Sequence, residues 1–584
     1  MKKRDSQTWA LNLLGAVLVS GALGATGEPI VHDSAVAPSP IMKLLSDELT
    51  YSMDHLVSED GTKPYYLAYT VYDERSSVVA TTLGTLVQNR TTHNRQLSID
   101  LRVGDYHLDN THQLRGSGAA QVSGSGNIAL AIDGNAASIR HALWYHTDRN
   151  FRKAAKRLTQ IKTNLKVKVE EEDKSDDFSQ ETAHVYYEAP AKSEVDPSAW
   201  AERLRRVSAI ARDYPLIYNS SVTLGVYVGT RYMVTNEGTR LQTAETRYRI
   251  TMSAGTKAED GMDLQQSKDF NAATAGGLPD EATIAKAFRG VLDQVLALRK
   301  APLAEPYIGP AILMNRASGV FFHEIFGHRI EGHRQKDVTE GQTFTKKLNK
   351  QVLPDFISVV SDPTLRRLDG IDLRGFYRFD DQGVQAQRCE LVDHGVLKTF
   401  LMSRTPVDNV PSSNGHGRRQ PGKAVISRQS NLLVESSKQV PFEKLREMLI
   451  EECKKQGKPY GLLFEDISGG FTTTSRRGPQ SFKVLPIVVY RVFADGRPDE
   501  LIRGADIVGT PLTCFDKIIC TGDDVGVFNG TCGAESGWVP VSAVSPSILV
   551  STIEIEKRTR DQSRPPILPP PPIDAQPATG GKTP

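Results

Sequence analysis

Two histidines and a glutamate fall within six residues, at His323-Glu324-Ile325-Phe326-Gly327-His328. Neutral imidazoles are good ligands for Zn2+, and a catalytic zinc site takes three protein ligands and keeps a position for water. The ion lowers the pKa of that water towards neutrality, and a carboxylate beside it accepts the proton. Glu324 is the candidate base. The spacing sets a geometric condition. In an HExxH segment the histidines are about 400° apart around an α-helix and share a face. His323 and His328 are five apart, about 500°, or some 140° out of alignment. Both reach one ion only where the helix widens into a π-type bulge or ends between them. Gly327 tolerates such a distortion best, so the spacing predicts a distorted turn from Ile325 to His328.

A third ligand must come from elsewhere. His333 lies ten residues after His323, the metzincin offset, although that pattern is written for histidines four apart. Glu451 and Glu452, beside Cys453, are similar to the second motif of dipeptidyl peptidase III, which also uses an HExxxH helix; that resemblance ends with the two short motifs. Cys532 is a soft ligand, flanked by Gly530 and Gly533, which let backbone approach closely. The five cysteines, Cys389, Cys453, Cys514, Cys520 and Cys532, are too few for a disulfide scaffold and leave at least one thiol without an internal partner. The spare thiol favours Cys532. Cys514 and Cys520 fit either a disulfide outside the cytosol or two reduced thiols. Zn2+ suits such a set, and cobalt or nickel would also be accepted.

His416 and Arg418 lie in the glycine-rich basic loop 414–423. They are candidates for binding substrate carbonyls or an oxyanion, against a merely solvated loop. Asp393-His394-Gly395 is a turn signal, and His394 is given no catalytic role.

These residues need a frame. Apolar spacing predicts helices over 41–56, 138–165, 197–212, 279–300 and 442–455, and strands over 65–101, 221–228, 246–254 and 310–314. A charged stretch at 166–196 reads as a solvated insertion. The turn-forming run 301–306 marks a boundary. The expected architecture is α+β: an N-terminal α/β domain (41–300), then a β-rich C-terminal domain (301–563) with the metal-binding helix near the junction. The proline-rich tail 564–584 forms no packed element. Residues 1–25 read as an export signal, with Lys2, Lys3 and Arg4 ahead of a short apolar run, followed by a linker over 26–40. The mature protein is then periplasmic or extracellular, with no membrane span. Basic and acidic residues nearly cancel, 71 against 69, which gives no reason to expect a nucleic-acid partner.

The segment 322–332 resembles the metal motif of the TldD/PmbA (TldE) metallopeptidase family. Asp380-Asp381-Gln382-Gly383, the run 391–397, Ser403-Arg404, the run 414–418, Ser430-Asn431-Leu432, Ile467-Ser468-Gly469-Gly470, Arg503-Gly504-Ala505 and Gly530-Thr531-Cys532-Gly533 continue the match in order. From 41 to 309 the similarity is architectural. The resemblance implies zinc held by His323, His328 and Cys532, with Glu324 as general base. It also implies a dimer enclosing the active site, either a homodimer or a heterodimer with a TldE-like subunit. The implied substrates are unfolded or extended peptides, bound as strands. The competing expectation is a non-catalytic, zinc-stabilised assembly subunit, whose structural site would fill all four ligand positions and need no base.

Overall fold

The computed structural model describes residues 28–34, 36–113, 124–165, 173–476, 482–509, 514–558, 565–566 and 568. The expected export signal lies outside them, as does most of the proline-rich tail. Among the described residues no helix is long and apolar enough to cross a membrane.

The N-terminal part is an eight-stranded sheet built on long antiparallel hairpins. Alternation along Pro64–Thr82 puts Leu67, Tyr69 and Val71 on one face, beside Leu97, Ile99 and Leu101 of Thr85–Val103. Helices α1 (Pro40–His55) and α2 (Ala136–Leu165) bury Leu45, Leu49, Leu143 and Phe151 on that face. Farther along, Val79, Leu224 and Ile250 carry α3 (Pro197–Ala209) and α4 (Glu281–Lys300). Asp196 and Asp280 accept backbone N–H groups at the starts of α3 and α4. The opposite face, through Tyr66, Ala68 and Met233, packs on Phe178 and Phe379. The sheet is thus a layer between its own helices and the C-terminal part.

One expectation fails here. Residues 173–196 are not a solvated excursion. Phe178 is fully buried, Asp177 is buried against His112 at 2.8 Å, and His184–Tyr187 pairs in parallel with Arg240–Lys257. Partners for its charges come from other segments, Lys336 among them, and paired charge can be buried.

The C-terminal part is mostly strand, as expected. Its twelve-stranded sheet closes partly on itself. Gly537–Lys557 pairs with Ala505–Gly509 on one edge and Tyr307–Leu313 on the other. Phe482–Phe493 and Tyr460–Thr472 complete a ring of five strands. Helix α5 (Asn315–Ile325) packs against this ring, and every residue from Ala317 to Ile325 is buried. The short α6 (His333–Lys336) follows it, and α7 (Phe442–Lys455) packs Leu445, Leu449 and Cys453 on the outer surface.

Candidate metal centre

Helix α5 ends at Ile325, and a 3-10 turn, Gly327–Arg329, follows. The helix therefore stops between the two histidines. Two side chains hold the break. Arg329 Nη1 donates to the carbonyls of Glu324 (3.2 Å) and Ile325 (3.1 Å), satisfying groups that the helix end leaves open. Gln429 Nε2 donates to the His323 carbonyl at 3.2 Å. A Cβ on residue 327 would overlap the end of the Gln429 side chain, so a larger residue there would force the buried Gln429 to shift. The imidazoles of His323 and His328 then lie 5.1 Å apart between centroids, at 77°.

Cys532 comes from the strand Ile518–Ala534, held opposite α5 by its pairing with Gly537–Lys557. One donor atom each from His323, His328 and Cys532 lies within 4.8 Å of the others. Cys532 Sγ is 3.3 Å from His328 Nε2. Ligands of one tetrahedral zinc stand roughly 3.3–3.6 Å apart at usual bond lengths, so the donor set fits this ion. All three residues are buried. Burial opposes a thiolate at Cys532, but His328 and His323 outweigh it and hold its pKa well below the usual thiol range. Burial likewise opposes charge on His328, yet Cys532 and Glu331 hold its pKa well above the ordinary value.

Glu331 stands beside His328, with Oε1 3.5 Å from Nδ1, at ion-pair distance. This fully buried carboxylate also receives Arg334 Nε at 2.8 Å and lies 3.4 Å from Arg428 Nε. Arg428 in turn donates to the Cys532 carbonyl at 2.8 Å. One carboxylate and one arginine thus tie both ligand segments together, the outer support that metal-bound imidazoles ordinarily have. Glu324 Oε2 is 3.9 Å from His328 Nε2. Its side chain runs beside Gly470, where a Cβ would stand 2.8 Å from Glu324 Cγ.

The cluster opens into a cleft of about 610 Å3 lined by Glu324, residues 466–472 and residues 528–535, with Arg249 and Asp269 from the N-terminal sheet. From Ile467 to Thr472 the strand pairs on one side only among the described residues, with Phe482–Phe493; its other edge meets Tyr307–Leu313 only over Leu462–Phe464.

The remaining candidates fall away from the cluster. Among the described residues neither ring nitrogen of the buried His333 is hydrogen-bonded, and burial and Arg334 push its pKa down to about 4; it lies outside the three-donor group, 4.0 Å from Glu535. Glu452 bonds Gln456 (2.7 Å) and Lys455 (3.2 Å) on α7, and neither it nor Glu451 lines the cleft. His416 and Arg418 do not join the metal cluster. His416 is fully buried, bonded to Asn414 and Ser361, and lines no cleft wall; Arg418 donates to the Gln429 carbonyl at 2.6 Å and faces a different cavity. The basic glycine-rich loop, open in sequence to either a binding or a solvated reading, is packed inward over residues 415–419. His394 sits in the hairpin turn at φ +45°, and among the described residues no disulfide joins any of the five cysteines. Sequence reasoning missed Glu331 and Arg428. Glu331 had a usable signal, standing three residues after a ligand histidine; Arg428 had none.

A family model for the PmbA/TldA metallopeptidase C-terminal domain matches residues 307–557. This part of the chain belongs to the TldD/PmbA family. Among relatives of this TldD/PmbA domain, a metalloprotease of Archaeoglobus fulgidus is 30% identical over 42% of this chain and 53% of its own length. A zinc metalloprotease TldD homolog of Saccharolobus solfataricus is 24% identical over 42% of this chain and 51% of its own. The chain thus spans about half the length of these curated relatives. The solved TldE of Thermococcus kodakarensis has the same fold, with a TM-score of 0.58 at 14% identity over 88% of this chain and all of that one.

Proposed function

We propose that the chain is a zinc-dependent peptidase that hydrolyses extended or unfolded peptides. One observation carries this reading: His323, His328 and Cys532 converge on one point with the Glu324 carboxylate beside them. Among the described residues they supply three donors, not the four of a structural site, and a base that a structural site does not need. Bound there, zinc supplies a Lewis acid and acidifies water. Glu324 accepts the water proton and later returns it to the leaving amine. Glu331 holds His328 in the ligand orientation, and Arg428 holds the Cys532 backbone. The half-paired strand 467–472 offers main-chain donors and acceptors to an extended peptide, a mode that needs no side-chain code. The names of the relatives support peptidase chemistry. The likeness to TldE supports pairing with a second copy or a TldE-like subunit, and the N-terminal sequence supports action after export.

The test is Glu324→Gln in the full chain. Zinc content should be unchanged while cleavage of an unstructured peptide falls roughly 100-fold or more. Full activity in that variant would sink the mechanism.

A further inference from the structure

Next to the metal cleft lies a second cavity of about 390 Å3, and Trp538 lines both. Seven arginines and five carboxylates line this cavity, and the carboxylates are already engaged. Asp381 takes Arg231 at 2.8 Å, and Asp380 accepts three backbone N–H groups. Glu188 takes Arg378 at 2.9 Å, Glu74 takes the Tyr227 hydroxyl at 2.6 Å, and Glu245 is 3.3 Å from Arg247.

Arg374 is left over. Its Nη1 is buried without a hydrogen-bond partner among the described residues. Burial, together with Arg247 and Arg249, lowers its pKa to about 10 and outweighs the opposing pull of Asp269 and Glu245. Its backbone N–H is fixed by Ser542 Oγ (2.8 Å) and by Asn529 Oδ1 (3.3 Å), and Asn529 lines the metal cleft. Arg418 stands 4.9 Å over the Tyr377 ring and also has no carboxylate in ion-pair reach among the described residues. A buried guanidinium with an open donor is costly unless an acceptor arrives, and guanidinium geometry suits a carboxylate in a bidentate pair.

We propose that this cavity is a carboxylate-binding subsite, centred on Arg374 with Arg247 and Arg418 beside it, which takes a carboxylate of a peptide lying in the metal cleft. The carboxylate is either the free C-terminus or an acidic side chain. The proposal rests on the peptidase reading for what the cleft holds, but not for the binding itself.

The experiment measures binding of fluorescent peptides to the zinc-loaded full-length Glu324→Gln chain. Three peptides share a neutral core: one with a free C-terminus, one ending in an amide, and one amidated but carrying a single glutamate. At least one carboxylate peptide should bind roughly tenfold or more tightly than the neutral amide. Which one does so identifies the source. Arg374→Gln should remove that preference and leave affinity for the amide, and zinc content, unchanged. Arg247→Gln should weaken the preference and serves as the second variant if the first fails to fold. Equal binding of all three peptides overturns the subsite, and so does a preference that survives Arg374→Gln. The two readings fail separately: a wild-type chain that cleaves peptides indifferently to charge loses only the subsite, and one that binds carboxylates selectively but cleaves nothing loses only the peptidase.

Discussion

His416 Nδ1 faces two oxygens of Asn414, each at 3.0 Å, so it carries the ring proton, and Nε2 accepts from the Ser361 hydroxyl at 2.9 Å. Burial pushes its pKa down to about 3. The unfolded chain takes up this proton from about pH 6.5 downward, whereas the folded chain resists until far lower pH. Stability contributed by the neutral ring is therefore present above that value and lost as pH falls, by at most about 1.4 kcal/mol per pH unit. Asp380, held up at about 7 by burial, acts with opposite sign, so the readout is a difference. His416→Gln should show a flatter fall in denaturant midpoint than wild type between pH 7 and 4.5. Equal slopes would mean that His416 titrates normally in the fold. Glu331 makes the second residue-scale prediction. Glu331→Gln removes the charge that orients His328, and zinc affinity, measured by competition with a chromophoric chelator, should drop roughly 10- to 100-fold. An unchanged affinity would make Glu331 a partner of Arg334 and Arg428 alone.

Helix α5 depends on ending where it does. Gly327→Ala places a methyl group in the space of the Gln429 side chain, which should cost about 1–3 kcal/mol by overpacking and turn His328 away from Cys532. Gln429→Ala in the same chain should recover part of that loss; a double variant as unstable as Gly327→Ala alone would place the strain elsewhere. The need for a break was legible in the sequence, because a five-residue step cannot bring two side chains to one face of a regular helix. What holds the break was not, because Arg329 and Gln429 act through tertiary position. The same division runs through the fold. The helix over 442–455 shows in its apolar spacing and coincides with α7. The ring closure does not show, since it requires one strand, Gly537–Lys557, to use both edges, and hydrophobic alternation says nothing about which strands meet. The buried stretch around Phe178 was hidden by its charges, whose partners His112 and Lys336 lie in other segments.

At the scale of the whole molecule, the candidate centre joins residues 204 apart, His328 and Cys532. The strand that carries Cys532 is placed by Gly537–Lys557, which also closes the ring around α5. The N-terminal sheet braces the same assembly, through Arg404 on Glu237 at 2.6 Å and Arg231 on Asp381 at 2.8 Å. Such a site exists only in the folded chain, so zinc binding stabilises folding: free metal at a thousandfold excess over its Kd adds about 4 kcal/mol. Removing the ion with a chelator should lower the Tm of the zinc-loaded protein, and adding zinc back should restore it. The Cys532→Ser chain should unfold near the temperature of the metal-free wild type and respond little to either treatment, whereas Glu452→Gln should behave as wild type does. If Glu452→Gln lost the response and Cys532→Ser kept it, the third donor would lie on α7 and the convergence of the two distant segments would have no part in holding the metal.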